Sequence, residues 1–192
     1  MALILRVCGH RELERVWSLF ELDFDKRELL PRLGVHKAML KGDVELLAVT
    51  DDGSRLDLAY ALVGCRSLYG YVWLKYLDVI PFYRDKGVGI EAMRLLHRRF
   101  AGSQGVVTEV TAFGEEEGKD ENLRSQRKFF ARFGYEKIES DLRLGGEEDH
   151  VLVKPIRGTA ALSPIIHRVM LDFYSRVYSP AGLSRAVEIR PL

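Results

Sequence analysis

Apolar residues along this chain fall into blocks whose period changes twice. Leu3 to Val7 is a short apolar run that reads as a first strand. Leu13, Val16, Trp17, Phe20 and Phe24 then recur at helical spacing, one stripe on an amphipathic helix. Residues 25–41 read as a second helix holding Leu29, Leu33 and Met39, with Pro31 better suited to its first turns than to its middle. Val44 to Val49 is a compact apolar run closed by Asp51-Asp52-Gly53. Leu56 to Val63 and Tyr71 to Ile80 follow, connected through residues 67–70. Three such segments between tight turns predict an antiparallel meander.

After Pro81 the period becomes helical again. Ile90, Met93, Leu96 and Phe100 mark a helix face, and Gly102 offers a stop. Val106 to Ala112 reads as a strand, and Leu123, Phe129, Phe130 and Phe133 as a helix ending at Gly134. Lys137 to Leu144 and His150 to Val153 bracket Gly145-Gly146 and predict a final hairpin. Ile165, Val169, Phe173 and Val177, with Ile166 and Met170 beside them, predict a terminal amphipathic helix over 164–178. That helix either packs on its own domain or covers the substrate cleft or a partner subunit. The order β-α-α-β-β-β-α-β-α-β-β-α predicts an α+β fold, a mixed sheet with helices on both faces. Residues 1–155 are expected to form the domain, and 156–192 a helical extension.

Bulk properties narrow the classes. A length of 192 residues suits one domain with a short appendage. A formal net charge of +1 leaves no broad basic surface for nucleic acid. The acidic stretch 114–121 reads as a solvated loop. Cys8 and Cys65 lie in apolar runs and read as buried, reduced thiols. The N-terminus lacks the apolar stretch of a signal peptide, and no apolar run is long enough to span a bilayer. A cytoplasmic protein without a membrane partner is the expectation. The five histidines show no metal-ligand spacing, so no metal is expected.

The chemistry concentrates in Arg84-Asp85-Lys86-Gly87-Val88-Gly89, between the strand ending at Pro81 and the next helix. A helix start exposes unpaired N–H groups and the positive end of the dipole, which makes it an anion site. Glycines at 87 and 89 let backbone approach a ligand, and Arg84 and Lys86 add positive charge. Such a cradle suits a pyrophosphate, although a structural turn has the same pattern. A Rossmann fingerprint would need glycine where Ala92 stands, and no strand–helix–strand unit opens the chain. A P-loop fails at residues 114–120, where the spacing is wrong and glutamates would repel phosphate.

The run from Leu77 to Gly89 resembles the acetyl-CoA motif of the GNAT (GCN5-related N-acetyltransferase) superfamily, an apolar strand and a Pro followed by R/Q-x-x-G-x-G/A. Arg127 to Tyr135 resembles the later helix of that family, written F-Y-x-x-x-G-F. The two elements and the strand between them span most of residues 3–154. The resemblance implies an acyl-CoA N-acyltransferase fold with a mostly antiparallel, splayed sheet, and acetyl transfer to a primary amine of a small molecule or peptide. It implies that Asp78, Val79 and Ile80 pair with pantetheine and that the turn Arg84, Asp85, Lys86, Gly87, Val88, Gly89 and Ile90 holds the pyrophosphate. Phe130 would stand beside the cofactor, where many members carry a tyrosine as general acid.

Two carboxylates are candidates to take the amine proton. Glu109 lies mid-strand on the segment expected to border the gap, and is otherwise a partner for a nearby Lys or Arg. Asp78 alternates with Leu77 and Val79 and lies on the opposite face from them. Trp73 and Tyr76 either line the acceptor pocket or belong to the core, and Glu21 and Asp23 either meet a cationic amine or are solvated. Phe130 leaves the acid step unassigned and keeps open a module that binds acyl-CoA without turnover. A nucleotide binder using the same helix start is a third reading. A homodimer and the identity of the acceptor are left open.

Overall fold

The computed structural model describes residues 2–65, 69–111, 116–139, 142–144, 147–158 and 163–189. The elements run β1 (Leu3–Val7), α1 (Leu13–Asp23), α2 (Arg32–Lys41), β2 (Val44–Asp51), β3 (Asp57–Gly64), β4 (Tyr71–Val79), α3 (Val88–Arg99) and β5 (Gly105–Thr111). They continue with α4 (Glu116–Ala131), β6 (Glu136–Lys137), β7 (Leu142–Leu144), β8 (Glu147–Pro155), α5 (Ser163–Val177), α6 (Pro180–Ala186) and β9 (Val187–Ile189). β2, β3 and β4 form the expected antiparallel meander, and β1 adds to it by pairing antiparallel with β2. β4 pairs parallel with β5, and β5 antiparallel with β8. β8 also carries β6, and its first residues pair with β7, which pairs in turn with β9.

Strand alternation builds two apolar layers. Leu46, Ala48, Tyr60, Leu62, Tyr71 and Trp73 face a core completed by Val16, Trp17 and Phe20 of α1, Val35 of α2, and Met170 and Phe173 of α5. Leu47, Ala61, Val63, Val72 and Leu74 face the other way, against Met93 and Leu96 of α3 and Phe130 of α4. The sheet is therefore covered on both faces, as the apolar pattern required. α5 lies very close to its neighbours: a Cβ on Gly34 of α2 would stand 1.7 Å from the Val177 carbonyl oxygen, and one on Gly64 of β3 would stand 2.7 Å from the Phe173 ring. Among the described residues, no helix is long and apolar enough to cross a membrane.

Several elements differ from the sequence expectation. The second helix covers only residues 32–41. Pro31, at φ −63° and ψ 111°, is its N-cap, and the residue before a proline is driven out of helical geometry, so 25–30 stay a looped segment. The acidic stretch is no loop from Glu116 onward but the start of α4. The hairpin strand expected over 137–144 is broken into β6 and β7, and α6 and β9 were not foreseen. Residues 67–68, Ala112 and the Gly145-Gly146 turn lie outside the described residues.

One irregularity sets up the site. In the β3–β4 ladder Leu62 pairs with Tyr76 while Val63 pairs with Leu74, so Lys75 is an extra residue, a β-bulge. Simple alternation would put residues 71, 73, 75 and 77 on one face. The bulge instead returns Tyr76 to the face of Tyr71 and Trp73, and sends Leu77 to that of Leu74.

Candidate active site

The turn between β4 and α3 leads into a helix start with no side-chain cap. Asp85 and Gly87 have φ of 59° and 79°, both left-handed. The Glu91 N–H reaches the Gly87 carbonyl at 3.1 Å, so the amides of 88–90 lie ahead of this bond, and no side chain caps them. A Cβ on Gly87 would meet nothing within 4 Å, so its glycine answers to conformation rather than space. A Cβ on Gly89 would touch Val79 and Phe129 at 3.6 and 3.7 Å. Asp78, Val79, Arg84, Asp85, Gly87, Gly89 and Ile90 line one cavity of about 650 Å³, together with Gln126 and Phe129 of α4 and Arg132 just past its end. Lys86, Ile80 and Val88 do not line it. Lys86 Nζ sits 4.0 Å from the Phe82 ring centroid, Ile80 packs against the core, and Val88 is buried.

Arg84 turns away from the amides. Its Nε donates to the Val79 carbonyl at 2.8 Å, and its Nη2 reaches Asp23 at 2.6 Å and Asp78 at 3.3 Å. Asp78 is thereby brought against the end of α1. Burial pushes its carboxyl up to about 6, the Asp23 carboxylate adds to the push, and Arg84 opposes both. Positive charge facing this cavity from the opposite wall is supplied by Arg132.

The second part of the site is a gap between strands. The β4–β5 ladder ends at the pair Leu74 and Thr108, where Thr108 Oγ1 donates to the Leu74 carbonyl at 2.8 Å. Beyond it β4 follows β3 and β5 follows β8. A cavity of about 450 Å³ opens there, lined by Leu74, Lys75, Thr108, Glu109 and Phe130, with Glu28 on its rim. It shares Asp23, Phe24, Leu77, Gln126 and Phe129 with the first cavity. The two cavities adjoin along these residues, one at the start of α3 and the other at the split between β4 and β5.

At the split, Lys75 and Tyr174 both donate to Oε1 of Glu109. The side chains of Lys75 and Glu109 are 0% and 1% exposed. Lys75 Nζ also lies 5.5–5.7 Å from the ring centroids of Trp73, Tyr76 and Tyr174. Glu109 therefore borders the gap as expected, and it is paired with a lysine. Its Oε2 is buried and accepts no hydrogen bond among the described residues. Trp73 and Tyr76 are core residues, 1% exposed each.

Phe130 packs on Phe129 and Tyr135 with centroids 5.4 and 5.2 Å apart. The Tyr135 hydroxyl is 3.1 Å from His97 Nε2 and lies outside these cavities, so it does not substitute for the missing tyrosine. Lys75, Tyr174, Glu28 and Arg132 escaped the sequence reading. Lys75 carried a usable signal, a lone charge inside the apolar strand YVWLKYLDV. Glu28 carried none.

No protein-family model and no curated protein matches the sequence. Solved structures do. The acetyl-CoA complex of Arabidopsis thaliana NAA60 superposes with a TM-score of 0.61 at 15% identity, over 82% of this chain and 100% of that one. The ribosomal-protein-S18-alanine N-acetyltransferase of Escherichia coli gives 0.58 at 13% identity, over 83% and 97%. A variant of spermidine N-acetyltransferase from Vibrio cholerae gives 0.59 at 11% identity, over 80% and 94%. Sheet order, the split between β4 and β5, and these superpositions agree: the chain has the acyl-CoA N-acyltransferase fold of the GNAT superfamily.

Proposed function

We propose that the protein is an N-acetyltransferase that moves an acetyl group from acetyl-CoA to a primary amine by direct attack. The observation that carries this reading is the pair of adjoining cavities, one at the uncapped helix start of α3 and one at the split between β4 and β5. Structural neighbours solved with acetyl-CoA and with a bisubstrate analogue support the same donor.

Acetyl-CoA would supply an activated acyl carbonyl. The amides of Gly89 and Ile90, which line the first cavity, would hold its pyrophosphate, with Arg132 just past the end of α4 neutralising charge. The edge of β4 beyond Leu74, free of β5, offers backbone groups to the pantetheine arm and a donor to polarise the carbonyl. Arg84 must release the Val79 carbonyl for that edge to be read in full. The amine enters from the α1–α2 side, and positioning in the split supplies much of the acceleration.

Acetyl-CoA consumption against a panel of polyamines, small amines and peptides tests the reading, beside thermal shifts with CoA, ATP and NAD. Turnover and stabilisation by CoA alone are expected. Stabilisation by ATP or NAD but not by CoA sinks it. A second reading, an acyl-CoA-binding module without turnover, is favoured by Phe130 and by the Lys75–Glu109 pair standing in the gap. Tight CoA binding with no turnover on any acceptor would select it.

A further inference from the structure

We propose that Glu28 takes the proton from the acceptor, and that the acceptor is an aliphatic amine arriving as its ammonium ion. This rests on the acetyl-transfer reading of the same site.

Glu28 belongs to the segment between α1 and α2, yet that segment is held by the core. The Tyr76 hydroxyl donates to the Glu28 carbonyl at 2.9 Å and accepts from the Leu30 N–H at 2.8 Å. The Tyr76 ring packs on Phe20 and Phe24 at 5.0 and 4.7 Å between centroids. A residue of a connecting segment is thus positioned by a buried strand side chain, in the lining of the cavity at the split.

The other carboxylates of the cavity at the split are committed. Glu109 receives Lys75 and Tyr174, Asp78 and Asp23 receive Arg84, and Asp25 is closed onto Arg27. The Glu28 side chain takes no hydrogen bond among the described residues, and its neighbours act on it only through space. Lys75 of β4 faces it as a cation, and Glu109 of β5 and Asp25 of its own segment as anions. Tyr76 of β4, Tyr174 of α5 and Tyr178 just past its end are further ionisable groups near Lys75 and Glu28 among the described residues. Burial pushes the Glu28 carboxyl up to about 7; Lys75 opposes, and Glu109 and Asp25 reinforce. A carboxylate with that affinity for protons is matched to general-base work near neutrality.

The step balances without a further reagent. The ammonium gives one proton to the Glu28 carboxylate, and the freed lone pair forms the C–N bond as the thioester C–S bond breaks. The remaining extra proton on nitrogen leaves with the CoA thiolate as CoA thiol. Glu28 then returns its proton to solvent.

Glu28→Gln, with Glu28→Asp as the conservative variant, tests this on the full chain. kcat/KM is followed from acid to alkaline pH with an aliphatic primary amine and with an arylamine already neutral at pH 7. Glu28→Gln is expected to lower kcat/KM for the aliphatic amine about 100-fold or more and to abolish its inflection near neutrality. The loss with the arylamine should be much smaller, Glu28→Asp should recover part of the rate, and CoA affinity by calorimetry should hold. A retained inflection, or equal losses with both amines, overturns the proposal. Wild-type protein that binds acetyl-CoA but acetylates no amine overturns the acetyl-transfer reading and this inference with it. That failure is recognised before any substitution is made.

Discussion

Lys75 and Glu109 meet across the point where β4 and β5 part, one residue beyond the last backbone pair, Leu74 with Thr108. Their ion pair takes the place of the next rung of the ladder. The bulge at Lys75 makes this feasible, because it holds the side chain on the face of Trp73 and Tyr76, where Glu109 and Tyr174 are found.

A buried pair of this kind is costly to halve. Lys75→Met leaves the Glu109 carboxylate buried without its counter-charge and should destabilise the protein by about 3–5 kcal/mol. The double change Lys75→Met with Glu109→Leu should cost markedly less than either single change, because neither charge is left alone. Urea unfolding of the three variants measures the difference. Additive losses would show that the pair is not the relevant unit.

Gly87 and Gly89 separate conformation from access. Gly87→Ala must hold φ near 79°, which costs a non-glycine residue about 1–2 kcal/mol. At Gly89 a Cβ meets only ordinary contacts, and Gly89→Val places a branched side chain beside the amides of 88–90. It should leave stability within about 1 kcal/mol and weaken CoA at least tenfold. Unchanged CoA affinity in folded Gly89→Val protein would remove the anion site from the argument.

Two raised carboxyls set a pH dependence of fixed sign. Glu28 moves from 4.5 to about 7 on folding and Asp78 from 3.8 to about 6. The folded protein keeps protons that the unfolded chain releases, so each contribution is complete below the unfolded value and is lost as pH climbs through the folded one. Glu28→Gln removes one such loss. Relative to wild type, it should therefore gain on the order of 3 kcal/mol between pH 4.5 and pH 8. Urea unfolding at both pH values checks this, and a constant difference would contradict it.

Gly34 tests the docking of the last long helix. A Cβ there would overlap the Val177 carbonyl, which is backbone and cannot swing aside. Gly34→Ala should cost about 1–3 kcal/mol by separating α2 from α5. Because Tyr174 of α5 reaches Glu109, turnover should fall as well. A variant with wild-type stability and turnover would show that the contact relaxes freely.

The amino-acid sequence alone determined what depends on near neighbours. The period of apolar residues set the order of most strands and helices, and the spacing of Gly87 and Gly89 after Pro81 marked the turn that opens α3. Pro31, read as a residue for the first turns, instead stands before them, since proline acts on the residue ahead of it as well. Tertiary structure decided the rest. The bulge at Lys75 exists only in register with Leu62 and Val63, and it turns the end of β4 over. Lys75, Glu109 and Tyr174 come from three distant segments, and their pairing depends on how β4, β5 and α5 pack. Glu28 gains its affinity for protons from burial and from charges on other strands, which no spacing in its own segment encodes. Periodicity is a short-range property of a chain, whereas electrostatic environment belongs to the packed whole.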